Sequence, residues 1–229
     1  MYFPIILHIE TSTNVCSVAL SEGADCLFNI SNDEGLNHAA LLSTFIDKAL
    51  SLLKTQSKKL DAIAVSGGPG SYTGLRIGVS TAKGLCYGLN IPLIEVSTLA
   101  TLCTAAFKAE EQEEEMLFCP MIDARRMEVY AAIYDMKGNV VKEISADIID
   151  ELSYADFLSK HRVCFFGNGA EKCKSVLTHP NALFIDHLTP LAENMISLAL
   201  TDFNNAKFVD VAYYEPFYLK EFQPTTPKK

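Results

Sequence analysis

One stretch limits the fold of this chain more than any other: an apolar run that leads directly into a glycine-rich turn. The run is DAIAV, residues 61–65, and the turn begins SGGPGSYTG, residues 66–74, ahead of a helix-like segment. A short buried strand, a tight turn and a helix in this order are typical of α/β proteins. Backbone N–H groups at the start of such a helix can hold an anion. The stretch therefore predicts an α/β fold with a candidate phosphate cradle.

The sequence of this turn matches neither of two well-known nucleotide-binding patterns. A Walker A loop places Gly-Lys-Ser/Thr at a fixed offset from its first glycine, and this stretch has no such tripeptide. The dinucleotide pattern GxGxxG starts at Gly68 and Gly70, but Thr73 stands where the third glycine belongs. The nearby cation is Arg76, one helical turn on. The turn thus indicates phosphate binding more strongly than phosphate chemistry.

The segment after the turn, residues 73–89, is predicted to be a helix with a face of small residues. Gly74, Gly78 and Ala82 recur at four-residue spacing, and two later glycines repeat the interval. Each glycine costs a helix roughly 1 kcal/mol relative to alanine, so close contact must compensate. The face can pack on the chain's own sheet or against a partner helix, and the pattern alone favours neither.

The chain divides into two similar halves, each opening with strands and carrying a strand–glycine turn–helix unit. Three strands in a row predict an antiparallel meander in the first half, and a helix with an apolar stripe follows over residues 41–53. The acidic segment AEEQEEE, residues 109–115, marks the predicted boundary. We predict an N-terminal lobe over residues 1–108 and a C-terminal lobe over 109–229, whose C-terminal segment can pack back on the first lobe.

Composition excludes several classes of function. The formal net charge is -9, which argues against unaided binding to nucleic acid unless cations gather on one face. The seven cysteines include no CxxC pair and several lie in apolar runs, as reduced core cysteines do. The N-terminus lacks the basic region and cleavage site of a signal peptide, and no apolar run reaches membrane-spanning length. We expect a soluble, cytoplasmic protein that makes no membrane contact.

Two polar groups are candidates for a site. Glu10, at the end of the first strand, can hold a metal-bound water or accept hydrogen bonds from the turn ETSTN, and the structural role is favoured. Asp123, with Arg125 and Arg126 in IDARRMEVY, can form a polar site or an ion pair between the lobes. The ion pair is favoured, because such charges most often serve structure.

Four stretches of the chain resemble the bacterial TsaB family, also called YeaZ. They are HIETSTNVCSVAL, SGGPGSYTGLRIGVSTAKGL, MIDARRMEVYAAIY and EPFYL, and they follow the family's order across nearly the whole chain. The resemblance implies the two-lobed actin-like ATPase and sugar-kinase (ribonuclease H-like) fold, within the α/β class. It also implies a role in making N6-threonylcarbamoyladenosine next to the anticodon of tRNAs that read codons beginning with A.

The resemblance implies partners as well. In the family, TsaB binds its paralogue TsaD, which carries the catalytic site, and the ATPase TsaE completes the complex. TsaD has a segment of the form VHHMEGH whose histidines bind a metal, whereas this chain reads VSTLATL, with Thr98 and Leu102 at those positions. Threonine is a poor metal ligand and leucine is none. The resemblance therefore implies no catalytic residue, no metal and no cofactor in this chain, with ATP and a metal belonging to the partner subunits.

In the family, the contact between partners is a helical bundle built from the first two helices of each subunit. The resemblance therefore favours a partner helix, rather than the chain's own sheet, as the neighbour of the small-residue face. The predicted interface residues are Leu42, Phe45, Ile46, Gly74, Gly78 and Ala82. The predicted vestigial nucleotide or anion site consists of Glu10, Ser66, Gly67, Gly68, Gly70 and Ser71. The chain alone is expected to form a homodimer, and tRNA is expected to be reached through the complex rather than directly.

Two positions depart from the family. Glu10 stands where many members have aspartate, and Lys220 follows the EPFYL stretch where relatives often have arginine. Two other functions stay open on the residues: a stand-alone nucleotide-binding hydrolase or kinase that uses the cleft between the lobes, and a metalloprotease, an older label of the wider family. The histidines missing at Thr98 and Leu102 argue against the second.

Overall fold

A computed structural model describes residues 2–35, 37–109 and 116–220 of the chain. The acidic segment that marks the predicted lobe boundary lies, after Ala109, outside the described residues. Two five-stranded sheets form the framework. The first sheet contains β1 Ile5–Glu10, β2 Cys16–Glu22, β3 Asp25–Asn32, β4 Ala62–Gly68 and β5 Leu93–Ser97. The second contains β6 Leu117–Asp123, β7 Glu128–Tyr134, β8 Val140–Ile148, β9 Val163–Phe166 and β10 Ala182–Ile185.

The two sheets have the same topology. The first runs in the order β3-β2-β1-β4-β5 and the second in the order β10-β9-β6-β7-β8, so β6 corresponds to β1. In each sheet the first three strands form an antiparallel meander, and the last two pair in parallel. The predicted meander and the predicted duplication of an α/β lobe are therefore confirmed.

Burial follows strand position. β1 reads IILHIE and all six of its residues are buried, because it pairs with β2 on one side and β4 on the other and both of its faces are covered. β3 pairs with β2 and its outer positions are partly exposed. The fully buried β1 is thus a central strand, and the partly exposed β3 is an edge strand.

Five α-helices accompany the sheets within the described residues. They are α1 His38–Thr55, α2 Tyr72–Leu89, α3 Thr98–Ala109, α4 Ala155–Leu158 and α5 Ile196–Asn204. A 3-10 turn, Ala192–Met195, leads directly into α5. α1 begins three residues before the apolar stripe that predicted it, and α2 matches its prediction within one residue. No described helix is long and apolar enough to span a membrane.

The inner faces of the sheets are covered crosswise. α3 follows the first sheet in sequence, yet Leu99, Leu102 and Ala106 pack against Phe118 and Phe166 of the second sheet. α5 follows the second sheet, yet its residues join a core with the first. That core contains Ile6, Ala62, Ala64, Ile94, Val96, Met195 and Ala199. Each sheet is therefore completed by a helix from the other half of the chain.

Candidate functional site

The glycine-rich turn connects β4 to α2, as the sequence predicts. Ser71 is the N-cap of α2, and its hydroxyl accepts a hydrogen bond from the Gly74 N–H at 3.2 Å. The Gly68–Pro69 peptide bond is cis. Gly68 has a φ of +112°, a backbone conformation that side chains other than glycine's rarely adopt. The turn has the geometry of a strand-to-helix loop that could face a ligand.

Backbone from the chain itself lies against this turn. The Ser71 N–H donates to the Ser12 carbonyl oxygen at 2.6 Å, and a Cβ at Gly70 would lie less than 3.0 Å from the same oxygen. The Phe217 N–H donates to the Gly67 carbonyl oxygen at 2.7 Å. The glycines therefore allow close approach of the chain's own backbone, and carbonyl oxygens face the loop where a phosphate would need donors.

Glu10 ends β1 beneath this loop and is completely buried. The Ser12 N–H donates to its Oε1 at 2.6 Å, while its Oε2 has no hydrogen-bond partner among the described residues. Burial raises the pKa of the Glu10 carboxyl to about 7, against smaller opposing contributions from hydrogen bonds with Ser12 and Ser66. Ser66 also accepts a hydrogen bond from the Thr11 N–H at 3.4 Å. Glu10, Ser66 and the glycine turn thus come together as predicted, but as a closed, tightly packed group.

The six predicted interface residues all lie inside the first lobe. Those on α1 pack in the core between the helices and the first sheet. A Cβ at Gly74 would lie less than 3.0 Å from the Thr11 carbonyl oxygen, and one at Gly78 would lie equally close to the Thr11 hydroxyl. All six are buried: Leu42, Phe45, Ile46, Gly74, Gly78 and Ala82. This corrects the prediction: the small-residue face contacts strand β1 of its own lobe, so these side chains do not present a surface to a partner.

The opposite faces of the same two helices are exposed. The exposed residues include Ser43, Thr44, Asp47, Ser80, Gly84, Tyr87 and Leu89. Tyr87 is 86% exposed and Leu89 is 50% exposed, and nothing lies within 4 Å of a Cβ placed on Gly84. A cavity of about 620 Å³ is lined by Lys83, Gly84, Tyr87, Asp210, Val211 and Ala212. Any contact of α1 and α2 with another protein would use this outer surface.

Asp123 does not pair with the neighbouring arginines. It forms an ion pair with Lys172 of the same lobe, which corrects the favoured reading of an ion pair between lobes. Arg125 and Arg126 lie in the hairpin between β6 and β7 with φ values of 72° and 50°. The Asp123 carboxylate instead accepts a hydrogen bond from the Arg125 backbone N–H at 3.0 Å, which stabilises this turn.

The positions compared with metal-binding histidines are buried. Thr98 begins α3 and is fully buried, and Leu102 packs into the core beside Phe118 and Phe166. Across residues 2–35, 37–109 and 116–220, no three His, Cys, Asp or Glu side chains converge as a metal cluster. In the predicted interface and the predicted anion site, Glu10 is the one residue with an ionisable side chain.

The sequence predicted that the C-terminal segment can pack back on the first lobe, but it did not indicate which residues of the segment make contacts. Tyr214, Phe217 and Lys220 reach the glycine loop and the second sheet, although residues 213–220 contain no periodic pattern. The proline and the mixed polarity of the EPFYL stretch match neither a helix nor a strand, so local pattern gives no signal for these contacts.

The comparisons with known proteins agree with this geometry. Residues 33–220 match the family model described as TsaD: tRNA N6-adenosine threonylcarbamoyltransferase. The solved structure "YeaZ from Pseudomonas aeruginosa" is 28% identical, with a TM-score of 0.78, over 94% of this chain and 100% of that one. The ethanolamine utilization protein EutJ from Carboxydothermus hydrogenoformans shares the fold at 10% identity, with a TM-score of 0.51 over 86% of this chain and 91% of that one. These likenesses and the paired sheets define a two-lobed protein of the actin-like ATPase fold.

Sequence identity to curated proteins assigns the chain to one family within that class. The tRNA threonylcarbamoyladenosine biosynthesis protein TsaB of Escherichia coli (strain K12) is 32% identical over 224 residues, which cover 94% of both chains. This chain belongs to the TsaB (YeaZ) family.

Proposed function

We propose that this chain is a non-catalytic subunit that supports TsaD in making N6-threonylcarbamoyladenosine in tRNA, with TsaE completing the complex. One observation carries the proposal: an identity of 32% across 94% of the chain to a relative named for threonylcarbamoyladenosine biosynthesis. The match to the TsaD family model makes the chain a relative of the enzyme itself. The chain thus takes part in tRNA modification as a TsaD-related protein, and the proposal places it in the cytoplasm.

The closed glycine loop supports a non-catalytic role. The Ser12 carbonyl oxygen accepts the Ser71 N–H, and the Phe217 carbonyl oxygen lies beside Gly68. A phosphate needs N–H groups or cations at this position, and carbonyl oxygens repel it. Since Leu102 also fills an apolar core, we propose that this chain needs no cofactor of its own and that ATP and the metal act in the partner subunits.

The outer face of α1 and α2 is the partner surface that we propose, both for TsaD and for a homodimer of the isolated chain. It carries small and polar residues such as Thr44, Ser80 and Gly84, which let another helix approach closely, beside the exposed Tyr87. Exposed aromatic side chains of this kind are enriched in protein interfaces. In this arrangement tRNA binds to the assembled complex rather than to this chain alone.

Gly84→Glu tests this surface. A side chain at Gly84 has open space in the monomer, and glutamate forms helix better than glycine, so the chain should fold normally. We expect the variant to lose co-purification with TsaD, because the carboxylate would be buried without a partner at a close helix contact. The matched control is Thr201→Glu, at an exposed position of α5.

The functional arm of the experiment is tRNA threonylcarbamoylation by TsaD and TsaE with and without this chain. We expect modification only when the chain is present, and a strong reduction with Gly84→Glu. Full modification without the chain would contradict the subunit role. Turnover of Mg·ATP by the purified chain alone would favour a stand-alone hydrolase or kinase instead.

A further inference from the structure

The last described segment of the chain, residues 209–220, crosses the first lobe without regular secondary structure, after a turn in which the Tyr214 N–H donates to the Asp210 carbonyl oxygen at 2.8 Å; it is called the strap below. At its start, the Val209 N–H donates to the Leu93 carbonyl oxygen at 3.0 Å, beside the edge strand β5. Lys83 of α2 then donates to the carbonyl oxygens of Ala212 and Tyr214, at 3.2 and 2.8 Å. Hydrogen bonds to a charged donor are stronger than neutral ones, so the ammonium group holds the strap on α2.

The middle of the strap lies on the glycine loop. The Phe217 N–H donates to the Gly67 carbonyl oxygen at 2.7 Å. A Cβ on Gly68 would lie 2.7 Å from the Phe217 carbonyl oxygen, and one on Gly67 would lie less than 3.0 Å from the Tyr214 hydroxyl. The strap therefore requires Gly68, since a side chain there would displace the Phe217 backbone, whereas a Cβ on Gly67 would first meet the Glu95 side chain of β5.

The far end of the strap reaches the second lobe. The rings of Tyr218 and Tyr72 lie 4.8 Å apart, which keeps the strap against α2 up to this point. Two residues later, Lys220 forms an ion pair with both carboxylate oxygens of Glu128, the first residue of β7 in the second sheet. Lys220 is 46% exposed and Glu128 is 17% exposed, so the pair is only partly screened by water.

We propose that the strap fastens the two lobes to each other, with its seat on the glycine loop in the first lobe and the Lys220–Glu128 pair as its attachment to the second. Lys83, Gly67 and Gly68 act as the seat, and this gives Lys220, whose role the sequence left open, a definite task. The strap places the Phe217 carbonyl oxygen against Gly68 of the loop. The inference goes beyond the proposed function, because it concerns how the lobes of this one chain are held, with or without a partner.

Hydrogen–deuterium exchange of the full chain, read by mass spectrometry, tests the attachment. We expect Lys220→Glu and Glu128→Lys each to raise exchange of the strap amides about two- to fivefold, the range for a partly exposed ion pair. The double variant, which restores the pair in reverse, should return exchange to near the wild-type rate. A response of the strap to Glu128→Lys, a change in the other lobe, is the signature of fastening.

Lys83→Met tests the seat. Loss of two hydrogen bonds from a charged donor should raise exchange of the strap amides by at least about tenfold. The control is Lys58→Met, which removes the same charge from an ion pair with Glu22 inside the first lobe; strap exchange should stay at the wild-type rate. The proposal is overturned if the Lys220 and Glu128 variants match this control, or if the double variant exchanges as fast as the single ones.

Discussion

The two lobes share one sheet topology but differ in the elements that cover the outer face of the sheet. In the first lobe, α1 and α2 are 18 residues each and cover the outer face of the sheet. Among the described residues of the second lobe, the elements that pack on the outer face of the sheet are the four-residue α4, the 3-10 turn Glu171–Cys173 and the adjoining loops. Within the described residues, long outer helices therefore cover the sheet of one copy of the duplicated framework alone.

The glycine turn of each lobe lies in close contact with the backbone at or just after the first strand of that lobe. In the first lobe a Cβ at Gly70 would strike the Ser12 carbonyl oxygen, just after β1. In the second a Cβ at Gly167 would strike the Met121 carbonyl oxygen, in the corresponding strand β6. Each turn thus packs on the first strand of its own lobe. In both lobes of this chain, these glycines allow another stretch of backbone to approach closely.

The ends of the corresponding strands differ in charge environment. Glu10 ends β1 with one oxygen unpartnered and no exposure, whereas Asp123 ends β6 with an exposed carboxylate paired to Lys172. Burial alone raises the pKa of a carboxyl, while a cation keeps it charged. The first lobe thus carries an unfavourable buried acid at a position where the second has an ordinary surface ion pair.

The largest effect is expected from a leucine in the small-residue face. Gly78→Leu should remove about 4 kcal/mol or more of stability, because its side chain would occupy the space of Thr11 and Ile9. Chemical denaturation measures the loss. The matched control is Gly84→Leu in the same helix, where nothing lies within 4 Å of a Cβ and stability should change by less than about 0.5 kcal/mol. Equal stability of the two variants would place the packing face elsewhere.

The next effect concerns pH and the buried acid. The native Glu10 carboxyl keeps its proton up to a pKa of about 7, while the unfolded chain releases it near the ordinary value of 4.5. Between these values the native state binds more protons, so stability falls as the pH rises. The full loss is about 3 kcal/mol, from about 1.36 kcal/mol per pKa unit.

Glu10→Gln should remove this loss, because the amide does not ionise. Urea denaturation of wild type and variant at pH 5 and pH 8 measures it: the stability difference between the two pH values should be about 2.5 kcal/mol smaller in the variant, since pH 5 already lies above the unfolded pKa. Cys16 lies nearby, but burial raises the pKa of its thiol to about 11, outside this range. Parallel pH dependence in the two proteins would show that Glu10 is charged in the folded state.

The smallest effect is expected at the corresponding position of the second lobe. Asp123→Asn breaks an exposed ion pair with Lys172 and should cost at most about 1 kcal/mol, with less effect at high salt. Denaturation in low and in 1 M salt measures it. A loss as large as that of a buried group would mean that the two strand ends are more alike than their burial indicates.

Much of the framework could be predicted from the sequence, since strands, turns and helices follow local patterns. The apolar run at residues 61–65 and the spacing of Gly74 and Gly78 predicted β4 and α2 closely. Helix α3 was missed, because TLATLCTAAFKA is apolar on nearly all sides and has no clear period. A helix buried between two sheets needs no polar face, and so gives no amphipathic signal.

The sequence by itself determined the meander of the first half, the strand–turn–helix unit at residues 61–89 and the existence of a face on α2 that requires close contact. Only the tertiary structure decided what lies against that face, because spacing shows which residues share a side of a helix but not which neighbour covers it. The same holds for Glu10, which is buried beside Ser12 and Ser66, and for Lys220, whose partner Glu128 lies 92 residues away. Local pattern sets local geometry, whereas contacts between distant segments depend on how the whole chain packs.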